Sequence, residues 1–430
     1  MNEEFSIAAT GDSLISMRLS VYDEERYLSM IELVRGADLA FTNLEILLHN
    51  FEGYPAAESG GTYGRAEPYM AEELKWVGFD IVSRANNHSM DYSVGGLVAT
   101  TKALDKAGLV HAGVGMNLAE AREPAYIETK KGRVGLISAS STFASWGRAG
   151  EARRDMQGRP GLNPLRYDTE IIVDEDTYER LKKMKKELGI EEYLEKKEKN
   201  AFKLFGRKFI KGKKIELRTK PNKSDFEGNI RSIKDARRQA DWVLFSLHAH
   251  EKKKKREIPA DFIVEFSRAA IDAGADAIIG HGPHVLRGIE IYKGRPIFYS
   301  LGNFIFQNQT VRRQPADLYE RYGLGNEATP ADLYDARERK KTGGKLRWFT
   351  HKPEYWESVL AIFTFEGKKL HEVKLYPLDL GFGKPRYQQG RPKLADEKLS
   401  RKILKRLQKL SAPFGTTIEI KNNVGYVKIE

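Results

Sequence analysis

The chain has no cysteine. Disulfides and thiolate metal sites are therefore excluded, and any metal must be held by His, Asp, Glu or Asn. Long apolar runs are missing too: none approaches the roughly 20 residues of a membrane span. The opening stretch MNEEFSIAATGD lacks the basic segment and apolar segment of a secretory leader. The expectation is a soluble, cytoplasmic chain without a transmembrane segment. Internal repeats and low-complexity tracts are absent. Histidine is scarce, nine in 430 residues, so its placement carries information.

What the chain does have is charge. Lys and Arg number 72 against 60 Asp and Glu, a formal net charge of +12. That balance favours anionic partners without naming one. Hydrophobic residues make up 40%, enough for a sizeable core. The length allows one large domain or two ordinary ones.

Short apolar, β-branched runs recur, and each ends in polar or glycine-rich residues. FSIAAT (5–10) leads into Gly11 and Asp12, DLAFTN (38–43) into Leu44 and Glu45, and FDIVSRA (79–85) into Asn86, Asn87 and His88. VGLISAS (134–140) leads into a Ser/Thr segment, while WVLFSLHAHE (242–251) and DAIIGHGPH (276–284) end in histidines. Runs of this kind read as buried strands. Helical patterns lie between them. Residues 68–78 have Pro near the start and Gly at the end. Residues 93–108 offer Ser93 as N-cap and Gly108 as stop, and 261–274 follow the same pattern. Alternating strands and helices predict an α/β sheet, with functional groups at the carboxyl ends of its strands.

Two segments break the rhythm, about 147–227 and 307–355, and read as inserts. The first holds an Arg-rich loop with Arg148, Arg153, Arg154, Arg159 and Arg166, then a charged helix pattern at 175–200. Arginine forks suit carboxylates and phosphates, so Arg148 and Arg159 are candidate contacts to an anionic substrate. Residues 203–223 hold nine Lys or Arg against one Glu. Aromatic residues are sparse there and no recognised motif appears, which argues against a nucleic-acid surface and for a solvated insert. The division expected is a single domain over 1–390, carrying both inserts, and a basic helix and tail over 391–430.

Collected together, the strand-end residues are Asp12, Asn43, Glu45, Asn87, His88, His248, His250, Glu251, His281 and His284. They include five of the nine histidines. Carboxylate, carboxamide and imidazole without sulfur suit Mn, Fe, Zn or Mg. A histidine beside such an ion is a candidate acid or base.

The ordered blocks FTNLE (41–45), ANNHSMDY (85–92), SLHAHE (246–251), GHGPHVLRGIE (280–290) and YSLGNFIF (299–306) resemble the CapA family. These are bacterial capsule, or poly-γ-glutamate, synthesis proteins, similar to calcineurin-like metallophosphoesterases. The resemblance implies a four-layer αββα sandwich with a metal centre at one sheet edge. It implies Asp12, Glu45, Asn87, His248 and His284 as metal ligands, with His281 beside them, and His88 as the proton-moving group. Asn43, His250, Arg148 and Arg159 are then candidates for substrate contact. The implied activity is metal-dependent hydrolysis of an anionic peptide or a phosphate-bearing substrate. Two departures stand out. The Asp-x-His pattern of phosphoesterases reads Asp12-Ser13-Leu14 here, and Gly282 spaces His281 and His284 three apart. The lost histidine favours two rivals, metal-dependent peptide epimerisation and a non-enzymatic, polyanion-binding accessory role. Asp91 and Ser93 read as helix-capping groups, Asn303 as structural, and His111, His351 and His371 as ordinary.

Overall fold

In the computed structural model, residues 4–190, 198, 200–342 and 352–429 are described. His351 and part of the helix pattern at 175–200 lie outside them.

The first strand, Glu4–Leu14, is the hub of the larger sheet. It pairs in parallel with Leu39–Leu44, which pairs with Ile81–Ser83 and then Val110–Ala112. On its other side it changes partner along its length. Residues 4–9 run antiparallel to Glu357–Glu366, whereas Asp12–Leu14 run parallel to Asn303–Phe306. Gly11 sits at the handover, where an added Cβ would collide with the Gly302 carbonyl oxygen. The Asp12 N–H donates to that same oxygen at 3.0 Å. A glycine is needed at this crossing, and it delivers Asp12 to the sheet's carboxyl edge.

The second sheet has six strands, with Gly132–Ser140, Trp242–His248 and Ala277–His281 adjacent and parallel. Alternation along the strands divides the side chains between two faces. Phe5, Ile7, Ala9, Leu39, Phe41 and Ile81 of the first sheet share one apolar cluster with Leu136, Leu244, Ala277 and Ile279 of the second. The intervening Ala8, Ala40 and Val82 join Met30, Val34, Leu74 and Leu104, residues of three helices. On the far side, Ile137, Phe245 and Ile278 join Ile233, Phe262 and Phe266, from helices Lys223–Arg237 and Asp261–Asp272. The molecule is a mixed α/β protein with several sheets.

Three elements differ from expectation. The basic stretch read as solvated folds into a four-stranded sheet: Tyr167–Val173, Ala201–Leu204, Arg207–Lys211 and Glu216–Pro221. Its Val173, Phe202 and Leu204 pack with Tyr178 of helix Glu175–Glu187. The last forty residues are more than a helix and tail. Helix Glu397–Ser411 buries Ile403, Leu404 and Leu407 in the inter-sheet cluster, and the hairpin Ile418–Lys421 and Val424–Val427 extends the large sheet. Ser93 lies one residue after the N-cap, Tyr92, and its hydroxyl donates to the Tyr54 carbonyl. In the second insert, helices Ala316–Arg321 and Pro330–Thr342 bury Leu318 and Leu333 against Leu47, Tyr63 and Tyr92.

Candidate metal centre

Each histidine-bearing strand end arrives in register. His248 and His281 are direct neighbours on parallel strands, and Asp12 is the neighbour of Asn43. The two sheets thus bring carboxylates from one and imidazoles from the other to a common edge. Asp12, Glu45, His248 and His281 are fully buried.

Two groups have donor atoms spaced to hold an ion: Asp12 with His248 and His281, and Glu45 with His250 and His284. His248 links them. Its Nδ1 lies 3.0 Å from His281 Nδ1, and its Nε2 lies 3.0 Å from His250 Nε2. Either spacing alone suits two nitrogens on one ion with bonds of about 2.0–2.1 Å, and a neutral imidazole, with one lone pair, serves one of the two groups at a time. Glu45 Oε1 is 3.6 Å from His248 Nε2, and Oε2 is 3.8 Å from His284 Nδ1.

The surrounding residues fix these groups. Asp12 accepts from Asn43 Nδ2 and from the Gly282 N–H, both at 2.8 Å. Gly282 adopts φ +110°, a conformation that favours glycine. His281 Nε2 meets Ser246 Oγ at 2.7 Å. His284, itself at φ +58°, donates from Nδ1 to Asn303 Oδ1 at 2.8 Å, while Asn303 Nδ2 donates to the Tyr355 carbonyl. That assignment leaves His284 Nε2 with the lone pair. His250 is anchored by its N–H, which donates to Thr142 Oγ1 at 2.9 Å.

Charge in the cluster is divided. Against the cost of burial, hydrogen bonds from His248 and His281 hold Asp12 well below the usual carboxylate range. Burial, then repulsion from Asp12 and Asp91, pushes Glu45 well above it. Burial lowers His248 to about 4 and takes His250 well below its ordinary value. His284 is lowered by the same cause. Both Glu45 oxygens are buried without a hydrogen-bond partner. A buried carboxylate costs several kcal/mol unless it is protonated or paired, roughly what a cation supplies. Unprotonated imidazoles around an unpartnered carboxylate are a chemical fit for a divalent ion.

His88 stands beside this cluster, with Nε2 4.0 Å from Glu45 Oε1. Its Nδ1 donates to Asp91 Oδ2 at 2.6 Å, and that oxygen also accepts the Gly64 N–H. Asp91, expected to cap a helix, orients His88 instead. Asn87 Oδ1 is buried and unpartnered. Asn43, expected at the substrate, is fully buried with its amide shared between Asp12 and Asn86. His250 joins the ion-spaced donors rather than standing apart as a substrate contact. Leu14, at the position of the missing histidine, lies in the apolar core. Arg148 lines a separate cavity, and Arg159 donates from Nε to the Arg148 carbonyl at 3.1 Å.

Sequence reasoning missed Asp91 and Asn86 and took Asn303 as structural only. The signal for Asp91 was its spacing, three residues after His88 in a turn. Asn86 bonds Asn43, Leu44 and the His88 N–H, tying two strand ends together.

The fold and this cluster define a class: a mixed α/β protein with a candidate centre of carboxylates and imidazoles at its sheet edges. The family model described as bacterial capsule synthesis protein PGA_cap matches residues 6–308, and the chain belongs to that family. A Sinorhizobium fredii protein, y4sH, is 38% identical over 99% of this chain and 93% of its own length. The PGA biosynthesis protein CapA of Bacillus subtilis is 26% identical, covering 72% of this chain and 69% of that protein. The capsule biosynthesis protein CapA of Bacillus anthracis is 24% identical over 75% of this chain and 67% of its own length. Among solved structures, the NAD nucleotidase of Haemophilus influenzae aligns with 95% of this chain at a TM-score of 0.30 and 10% identity. The chain spans 56% of that protein, and a score this low carries no argument.

Proposed function

We propose that this chain is a divalent-metal hydrolase acting on an anionic peptide of the poly-γ-glutamate kind or on a phosphoester. The observation that carries the reading is Glu45, whose two buried oxygens lack partners among imidazoles kept unprotonated by burial. Asp12, Glu45, Asn87, His248, His250, His281 and His284 would hold the ion or ions. A bound divalent ion supplies Lewis acidity and neutralises developing negative charge. The protein's own contribution is positional. Asn43 and Gly282 hold Asp12, Asn303 holds His284, and Asp91 fixes His88 with its Nε2 toward the cluster. His88 Nε2 is then the atom that takes or gives a proton during cleavage. The frame in this proposal is the four-layer αββα sandwich, which the three apolar clusters support.

The test is turnover of p-nitrophenyl phosphate and of γ-linked glutamate oligomers by chelator-stripped protein, with Mn, Fe, Zn or Mg restored singly. Metal-dependent cleavage lost in His88→Ala supports the proposal. Absence of cleavage with every metal overturns it. A second reading, a binding-only accessory protein for a polyanion, draws on a basic cavity lined by Arg148, Arg166 and Arg207. Salt-sensitive binding of the oligomers without turnover selects it.

A further inference from the structure

Between the insert sheet and the loop that follows Gly132–Ser140 lies a cavity of about 670 Å³. Five cationic side chains line it: Arg148, Arg166, Lys203, Arg207 and Lys208. Among the described residues two carboxylates, Asp168 and Glu170, share the lining, a formal surplus of three positive charges that Asp225 beside Arg166 and Glu198, 2.8 Å from Lys208, partly offset. Glu170 already faces Lys208 at 3.7 Å and Lys220 at 3.6 Å. Arg166 grips Asp225 through two contacts of 2.7 and 2.9 Å. Arg148 and Arg207 enter no ion pair among the described residues. Burial, then Arg166 and Arg159, oppose the protonation of Arg148, while Asp225 favours it. Two guanidinium groups on one cavity without a paired carboxylate, Arg148 and Arg207, suit an anion.

The cavity adjoins the candidate metal centre through Ser141. Ser141 lines the cavity, while its N–H donates to the His248 carbonyl at 2.9 Å and its hydroxyl to Glu251 at 2.5 Å. The cations come from two separate elements. Arg148 and Arg166 sit on the loop side; Lys203, Arg207 and Lys208 sit on the hairpin formed by Ala201–Leu204 and Arg207–Lys211. Single cations from separate elements match a chain with one carboxylate per unit better than one compact polyphosphate.

We propose that this insert-built cavity is a subsite for the acidic flank of the substrate, a carboxylate-bearing oligomer whose reacting linkage lies at the metal cluster. The proposal rests on the hydrolase reading for the linkage, and on the cavity alone for the flank.

The experiment is calorimetric titration of the full, metal-stripped chain with a glutamate hexapeptide, and with inorganic tripolyphosphate for comparison. The hexapeptide binds, and Arg148→Gln with Arg207→Gln weakens it at least tenfold. The Lys counterparts at both positions recover most of the loss, as charge rather than packing requires. Arg207 is exposed on its strand, so Arg207→Gln alone keeps the test valid if the double variant misfolds. No hexapeptide binding, binding indifferent to both arginines, or tighter Arg-dependent binding of tripolyphosphate overturns the proposal. Failure of the hydrolase reading is separately visible, as absent metal uptake with the Arg-dependent hexapeptide binding intact.

Discussion

At the residue scale, the decisive contrast is between two carboxylates a few ångströms apart. Asp12 is kept ionised by its hydrogen bonds, while Glu45 is driven toward the protonated form. A cation entering the cluster must displace the Glu45 proton, so metal binding releases protons and tightens as pH rises. Calorimetry in buffers of different ionisation enthalpy checks this through the proton count. His88 and Asp91 make a second prediction. Asp91→Asn removes the acceptor that fixes the ring and lowers kcat by roughly 10²-fold or more, within the range for general acid-base catalysis. Metal uptake stays unchanged, which separates positioning from ligation. His49 gives a prediction away from the site. It is buried, its Nδ1 accepts the Phe51 N–H, and burial holds it at about 4. The unfolded chain binds a proton at His49 at higher pH than the folded one. Stability is therefore lost as pH falls from the ordinary histidine value of about 6.5 toward 4, by on the order of 3 kcal/mol. Thermal unfolding between those limits should show that slope, flattened in His49→Gln. His49 stood outside every motif in the sequence, because burial of a lone histidine leaves no pattern.

At the element scale, strand ends were legible because short apolar runs end there in polar or glycine-rich residues. The residues of FSIAAT, DLAFTN and DAIIGH are buried as read, and the structure divides them alternately between clusters on the two faces. The insert sheet was hidden because its exposed faces carry Lys and Arg, so charge masked the alternation of Phe202, Leu204 and Phe209. The C-terminal hairpin was also missed, although Asn422 and Asn423, at φ +49° and +63°, form the left-handed pair such a two-residue turn demands. The loop carrying His250 depends on one buried residue, Arg287. Its guanidinium donates to the carbonyls of Ala249, His250, Glu251 and Arg256. Burial lowers Arg287 to about 9, with the nearby Glu251 charge opposing that shift. Arg287→Met strands those acceptors and costs about 2–4 kcal/mol, readable as a lower denaturation midpoint. His250 loses its fixed position in the same variant, so metal affinity falls with stability.

At the scale of the whole molecule, the C-terminal segment is part of the core. Ile403, Leu404, Leu407, Ile418 and Val427 belong to the inter-sheet cluster. Ending the chain at residue 390 would uncover that cluster and the Lys369–Asp379 edge, and the shortened protein should aggregate on expression. A soluble, cooperatively unfolding product would contradict this account of the core. Among the described residues no helix is long and apolar enough to cross a membrane. Family membership followed from the ordered motifs because their residues sit at strand ends, where both sheets converge. What the motifs could not disclose was how the donors are shared, since that depends on His248 facing both His281 and His250. The most direct test of the central claim is elemental analysis after equilibration with Mn, Fe, Zn or Mg and removal of free ion. The account predicts stoichiometric retention of a divalent metal by the wild-type chain, with loss in Glu45→Gln and in His248→Ala. Negligible retention of all four metals, or retention untouched by both substitutions, would contradict it.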